Sequence, residues 1–75
     1  MTKADKILER MRGNPAGWRI DDLEAVADRN DVIVRRGKGS HVVLIAGNGQ
    51  RLTVPAKRPI KPVYVRAFVT LVEGT

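Results

Sequence analysis

The 75-residue chain contains no cysteine, a single histidine and only three aromatic residues, Trp18, Tyr64 and Phe68. Without cysteine it forms neither a disulfide nor a thiolate zinc site, and one histidine cannot complete such a site. Stability therefore depends on the burial of apolar side chains in one modest core. We expect a single domain that spans residues 1–75.

Long apolar runs are also missing. No uncharged run approaches the roughly 20 residues that a membrane-spanning helix needs. Charged residues at positions 3, 5 and 6 interrupt the continuous apolar segment that a secretory signal would need. We therefore expect a bacterial-type cytoplasmic protein without membrane association.

Acidic residues are scarce in the second part of the chain. Residues 32–75 hold eight Lys and Arg against Glu73 alone, a net charge of +7, whereas residues 1–31 hold six against seven acidic residues, a net charge of −1. A clustered positive surface favours a nucleic acid or an acidic protein as partner. On charge alone, a solvated basic face without a target explains the pattern equally well.

The first 30 residues carry two helical patterns. In the first, apolar residues recur at i, i+3, i+4 and i+7, and the glycine- and proline-containing segment 13–17 ends the helix. Asp21 and Glu24 have the spacing of a capping box, which predicts a second helix to about Asn30. The residues expected on the buried faces are Ala4, Ile7, Leu8 and Met11, and then Leu23, Val26 and Ala27.

Three β-rich segments follow, at 32–34, 40–46 and 52–54, and turns at 37–39 and 47–50 separate them. They predict an antiparallel meander. After a basic loop at 56–61, Pro62 is suited to a first helical turn. The last segment is β-branched, which favours a strand, but its apolar residues have helical spacing, and we predict a helix. These residues are Val65, Phe68, Val69 and Val72.

The predicted fold is α+β, in the order α-α-β-β-β-α, with the helices on one face of a three-stranded antiparallel sheet and the other face open for binding. Strand alternation puts His41 on the side of Val43 and Ile45, opposite Val42 and Leu44. Both sides are apolar, so the direction of the histidine ring stays open. We interpret Trp18 as cover for the junction of the first two helices.

The only histidine directly follows a basic turn that glycines punctuate, Arg35-Arg36-Gly37-Lys38-Gly39-Ser40-His41. Histidine exchanges protons near neutral pH, and cations beside it attract phosphate. A lone histidine beside an apolar run is nevertheless more often structural than catalytic.

Nearly the whole chain resembles the HicA family of small toxins, which are mRNA interferases. The likeness begins in the first helix and the linker Gly13-Asn14-Pro15. It centres on residues 36–44, where Gly39-Ser40-His41 is similar to the family hallmark, and continues through Arg51-Leu52-Thr53-Val54-Pro55 to the segment 60–66.

The resemblance implies a double-stranded-RNA-binding-domain-like fold that cleaves mRNA, with His41 in acid/base catalysis and with no metal or organic cofactor. It also implies a HicB-like antitoxin as a partner that covers the histidine. An imidazole suits proton removal from a ribose 2′-hydroxyl, and positive groups would stabilise the phosphate. The residues we expect to contact RNA phosphates are Arg35, Arg36, Lys38, Gly39, Ser40, Lys57, Arg58 and Lys61.

Two positions depart from the family pattern. Many members have a second histidine after the Thr-Val-Pro segment, where this chain has Pro55-Ala56-Lys57-Arg58-Pro59. A glycine–aromatic pair before the first strand is replaced by Asn30-Asp31-Val32, which can still form a turn. The first departure keeps two alternatives open: a non-catalytic RNA-binding or antitoxin-docking module, and a purely structural interaction domain.

Overall fold

A computed structural model of the chain describes residues 2–37, 39–57 and 59–74. It contains three helices, α1 (Lys3–Gly13), α2 (Ile20–Arg29) and α3 (Pro62–Glu73), and three strands, β1 (Ile33–Arg36), β2 (His41–Ile45) and β3 (Arg51–Pro55). The predicted α+β class and the order α-α-β-β-β-α are confirmed. Each end of each strand differs from the predicted segment by one or two residues.

Helix α1 begins with a reciprocal capping box. The Thr2 hydroxyl oxygen accepts from the Asp5 backbone N–H at 3.2 Å, and the Asp5 carboxylate accepts from the Thr2 backbone N–H at 3.1 Å. Hydrogen bonds to the Asp5 carboxylate, first from the Thr2 backbone N–H and then from the Thr2 side chain, lower the pKa of Asp5 below its ordinary value of 3.8. The apolar stripe then buries Leu8 and Met11, as predicted.

Helix α2 begins earlier than predicted, and the capping box expected at Asp21 and Glu24 is wrong. Ile20, the first helical residue, packs against the core, so the helix includes it. The Asp22 carboxylate therefore reaches back to the Arg19 backbone N–H at 3.0 Å. The helix ends at Arg29, and Asp31 turns the chain toward β1 with a φ of 57°, in agreement with the predicted turn.

The sheet is an antiparallel meander in the order β1-β2-β3. In the central strand, Val42 and Leu44 are buried and join the core with Val54 of β3 and the apolar residues of the helices. Strand alternation directs Val43 and Ile45 to the other side, where they are only half-buried. The helices therefore cover one side of the sheet, as predicted, because Val42 and Leu44 lie on that side.

Helix α3 forms despite its β-branched composition. Its apolar stripe buries Val65, Phe68, Val69, Leu71 and Val72, and the helix contacts both α1 and β3. Burial of one face thus outweighs the local preference for a strand. No helix in the described ranges has the length and hydrophobicity that crossing a membrane requires.

Candidate functional site

A cleft of about 500 Å³ opens where β2 begins, β3 ends and α3 begins. Its lining residues come from those three elements and from the loop between β3 and α3; they are Ser40, His41, Pro55, Lys57, Pro59, Lys61 and Tyr64. The histidine is exposed to solvent rather than packed in the core. Its imidazole is therefore accessible to a ligand in the cleft.

The pairing of β2 with β3 positions His41. The register places His41 opposite Pro55, and the Ala56 N–H donates to the Ser40 carbonyl just beyond that pair. On the other side of β2, the Gly37 N–H donates to the His41 carbonyl at 2.9 Å. Hydrogen bonds from the residues that follow β1 and β3 thus hold the main chain at Ser40 and His41 in place.

The loop at 56–61 brings its lysines to the cleft because Ile60 anchors it. Ile60 is only 1% exposed, and its backbone N–H donates to the Trp18 carbonyl at 2.8 Å. Trp18 is itself half-buried against the core, and its indole N–H donates to the Asn14 carbonyl at 2.7 Å. The tryptophan thus covers the α1–α2 junction, as interpreted from the sequence, and supports the basic loop as well.

The charge of the cleft suits an anion. Its described lining includes the ammonium groups of Lys57 and Lys61 and no carboxylate. A larger cleft of about 880 Å³ lies between α2 and β1, but Glu24, Asp28 and Asp31 line it. Those carboxylates would repel a phosphate, so the smaller cleft is the better candidate for phosphate binding despite its size.

Four of the predicted site residues line the cleft together: Ser40, His41, Lys57 and Lys61. Arg36 lies elsewhere, because strand alternation turns it to the helix side of β1 and its guanidinium forms an ion pair with Glu24 of α2. Arg35 lies on the opposite side of β1, across from Val43. These two arginines are therefore not among the residues that line the His41 cleft.

Gly39 supplies the backbone geometry of the turn before His41. Its φ of 69° lies in the left-handed region that favours glycine. It precedes the cleft in sequence without being part of the lining. The predicted phosphate contacts Lys38 and Arg58 lie outside the described residues.

The cleft also includes Tyr64, Pro55 and Pro59, which were not among the predicted site residues. Tyr64 is the third residue of α3, and the Lys61 carbonyl accepts its backbone N–H at 2.9 Å. The only feature of the sequence that indicates Tyr64 as a site residue is its position shortly after the basic loop. Its place beside His41 depends on how α3 packs, which a local pattern does not contain.

The described lining combines an imidazole, two ammonium groups, a phenol and a serine hydroxyl. An imidazole can act as an acid or a base, and ammonium groups can attract an oxyanion. In the described part of the chain, no cluster of three histidine or carboxylate side chains has the proximity that a metal site requires.

Comparisons with protein-family models, with curated proteins and with solved structures give no match for the chain.

Proposed function

We propose that the chain is a HicA-type toxin, an mRNA interferase that acts in the bacterial cytoplasm and is neutralised by a HicB-like antitoxin. The observation that carries this proposal is the placement of His41. The only histidine of the chain is exposed in a cleft lined by Lys57 and Lys61. A structural histidine would more often be buried among core residues.

In the proposed reaction, the His41 imidazole removes the proton of a ribose 2′-hydroxyl. The 2′-oxygen forms a bond to the adjacent phosphorus, and the bond from phosphorus to the 5′-oxygen breaks. The products are a 2′,3′-cyclic phosphate and a 5′-hydroxyl. The leaving oxygen takes up a proton, and the ammonium groups of Lys57 and Lys61 are proton donors in the same cleft.

The lysines have a second role in this proposal, which is electrostatic. The pentavalent phosphate carries more negative charge than the ground state, and fixed cations beside it stabilise that charge. Lys57 stands near the position at which many members of the resembled family have a second histidine. In the proposed reaction it supplies a point charge beside the phosphate and a proton to the leaving oxygen.

The resemblance and the fold support the proposal in different ways. The α-α-β-β-β-α order is compatible with the double-stranded-RNA-binding-domain-like fold that the resemblance implies. The net charge of +7 in residues 32–75 suits both an RNA and an acidic partner. Neither feature by itself distinguishes cleavage from binding, so a direct assay of cleavage is required.

The test compares the wild type with His41→Ala at matched protein levels, in cells and with purified protein. Glu9→Ala, an exposed position on α1 away from the cleft, is the control. We expect the wild type and the control to arrest growth and cut mRNA, and His41→Ala to lose cleavage by at least about 100-fold, as is typical for loss of an acid/base group. Circular dichroism establishes that all three proteins are folded.

The alternative outcomes identify other functions. An active, folded His41→Ala protein would refute the mechanism. If no variant cuts RNA but all bind it in a salt-dependent way, the chain is an RNA-binding module. If none binds RNA, an interaction domain for an acidic protein becomes the better description.

A further inference from the structure

Tyr64 is the aromatic residue of the His41 cleft. The chain has three aromatic residues, and Phe68 is fully buried in the core. The indole of Trp18 is committed elsewhere, because it packs against the core and its N–H donates to the Asn14 carbonyl. Of the three, Tyr64 alone lines the cleft. Its phenol ring is therefore the aromatic surface that a ligand beside His41 can contact.

The ring of Tyr64 is held in place before a ligand binds. The residue lies in the first turn of α3, where its backbone N–H donates to the Lys61 carbonyl at 2.9 Å. Its side chain is half-buried, so that one part packs against the core while another part lines the cleft. A tyrosine side chain has few rotatable bonds, and a ring already fixed by packing loses little conformational freedom when a ligand covers it. Tyr64 is thus suited to stacking.

The surroundings of the ring combine apolar surface with positive charge. Pro55 and Pro59 line the same cleft, as do the exposed Lys57 and Lys61, and neither lysine has an ion-pair partner among the described residues. A free phosphate would need only the cations. A nucleotide presents a phosphate together with a flat base that stacks on aromatic rings. The cleft volume of about 500 Å³ lies within the range of small-molecule sites.

A base must be unpaired to reach the ring. In a duplex, each base is covered by its neighbours in the stack, and proteins recognise double-stranded RNA mainly by its shape, its 2′-hydroxyls and its phosphates. Bases of single-stranded RNA can turn outward and stack on aromatic side chains. A double-stranded-RNA-binding-domain-like fold would by itself favour a duplex. The tyrosine beside the histidine favours a single strand instead.

We propose that the cleft holds an unpaired nucleotide of single-stranded RNA, with its base stacked on the ring of Tyr64 and its phosphate between Lys57 and Lys61. Because His41 and Tyr64 line one cleft, this nucleotide is next to the bond that is cleaved. Purines have the larger stacking surface, so Tyr64 is a specificity-determining residue that favours a purine there. This inference rests on the proposed function, because it takes RNA as the ligand of the cleft.

The test measures binding of the full chain to short 2′-O-methyl oligonucleotides of equal length, which lack the hydroxyl that cleavage requires. The probes are an adenylate strand, a uridylate strand, an abasic strand and an adenylate–uridylate duplex. Fluorescence anisotropy gives the affinities, and the NMR ring signals of Tyr64, the only tyrosine, report stacking. We expect the adenylate strand to bind more tightly than the uridylate strand and to shift the ring signals. The abasic strand should bind more weakly than the adenylate strand by roughly 5- to 150-fold, the range for one stacked base.

Three variants separate stacking from charge. Tyr64→Phe keeps the ring and should bind the adenylate strand nearly as well as the wild type does. Tyr64→Leu should weaken binding of the adenylate strand by roughly the same 5- to 150-fold and leave binding of the abasic strand unchanged. Lys61→Ala should weaken binding of both strands by an equal factor, because a phosphate contact does not depend on the base. Circular dichroism checks the fold of each variant, and the comparison of strands on the wild type needs no variant.

Several results would overturn the inference. They are equal affinity of the wild type for the adenylate and abasic strands, an equal loss of both strands in Tyr64→Leu, tighter binding of the duplex than of the single strands, and no binding of any strand. Equal affinity for adenylate and uridylate strands would refute the purine preference.

The proposed function fails in a different way. Base-dependent binding without cleavage of unmodified RNA would refute the proposed function and support the stacking of a base on Tyr64. Cleavage of unmodified RNA without any dependence on the base or on Tyr64 would refute the stacking alone. The two assays therefore distinguish the two failures.

Discussion

Ile60 is the buried anchor of the basic loop, and its truncation should destabilise the whole protein. Ile60→Ala removes one methylene and two methyl groups from a side chain that is only 1% exposed. At about 0.8 kcal/mol for each buried group, the transfer free energy alone is about 2.4 kcal/mol. The residual cavity adds to this, and we expect a total loss of about 3 kcal/mol, within the range for such truncations.

This loss is large for a domain of this size. A 75-residue protein has a free energy of unfolding of about 4–11 kcal/mol. With a urea m-value of about 1 kcal/mol per molar, the midpoint should fall by about 3 M. Ile60→Val, which deletes a single methyl group, should cost about 1 kcal/mol.

The assay is urea unfolding followed by the fluorescence of Trp18 and, independently, by far-UV circular dichroism. Two probes are needed because the Trp18 carbonyl accepts the Ile60 N–H, so the indole responds to local change as well. Val63→Ala is the control, since Val63 is 63% exposed in the next helix and should lose less than about 0.5 kcal/mol. Equal, small losses for Ile60→Ala and Val63→Ala would refute the anchoring of the loop by burial.

Three further predictions concern the site and the helix termini. Lys57→Ala and Lys61→Ala should each weaken RNA binding and reduce the salt slope by about one, whereas Lys6→Ala on α1 should not, as measured by fluorescence titration at several salt concentrations. Asp5 has a lowered pKa in the folded protein, so its contribution to stability is present above pH 3.8 and is lost as the pH falls through the lower folded value. Urea unfolding of the wild type and of Asp5→Asn between pH 5 and pH 2 should detect this loss. Gly39→Ala should cost about 1 kcal/mol in the same unfolding assay, because its φ of 69° is unfavourable for alanine.

These predictions have their own controls. Thr2→Ala should raise the pKa of Asp5 toward its ordinary value, and an unchanged carboxyl titration by NMR would contradict the capping argument. Gly13→Ala, where an added methyl group meets nothing within 4 Å, should be nearly neutral. If Gly39→Ala is equally neutral, the left-handed turn before His41 is not required.

Local patterns in the sequence predicted the elements well. The apolar stripe predicted α1, and the glycine-containing turns predicted the ends of β2. Both signals lie within a few consecutive residues, and the structure places these elements where the signals predict them. The start of α2 was misplaced because its N-cap is Arg19, which is not a preferred capping residue, whereas Asp21 and Glu24 have the spacing of a capping box. The packing of Ile20 against the core, which the helix includes, is not visible in the local sequence.

The candidate site was predictable in part. His41, Ser40 and two lysines were named from the sequence, and they lie in one cleft. The ion pair of Arg36 with Glu24 was not foreseen, since the partners are 12 residues apart and meet only when α2 packs beside β1. Tyr64 joins the cleft for a similar reason, through the docking of α3.

The sequence by itself determined the local elements, the turns and the segregation of charge, since these properties depend on residues close together in the chain. Tertiary structure decided which side of β2 is buried. Both sides of that strand are apolar, so alternation gave two equivalent choices. The helices pack on the side of Val42 and Leu44, which are buried in the core. Val43 and Ile45 lie on the other side of the sheet and are only half-buried. His41 lies on the same side as Val43 and is exposed, in the cleft that Tyr64 of α3 also lines.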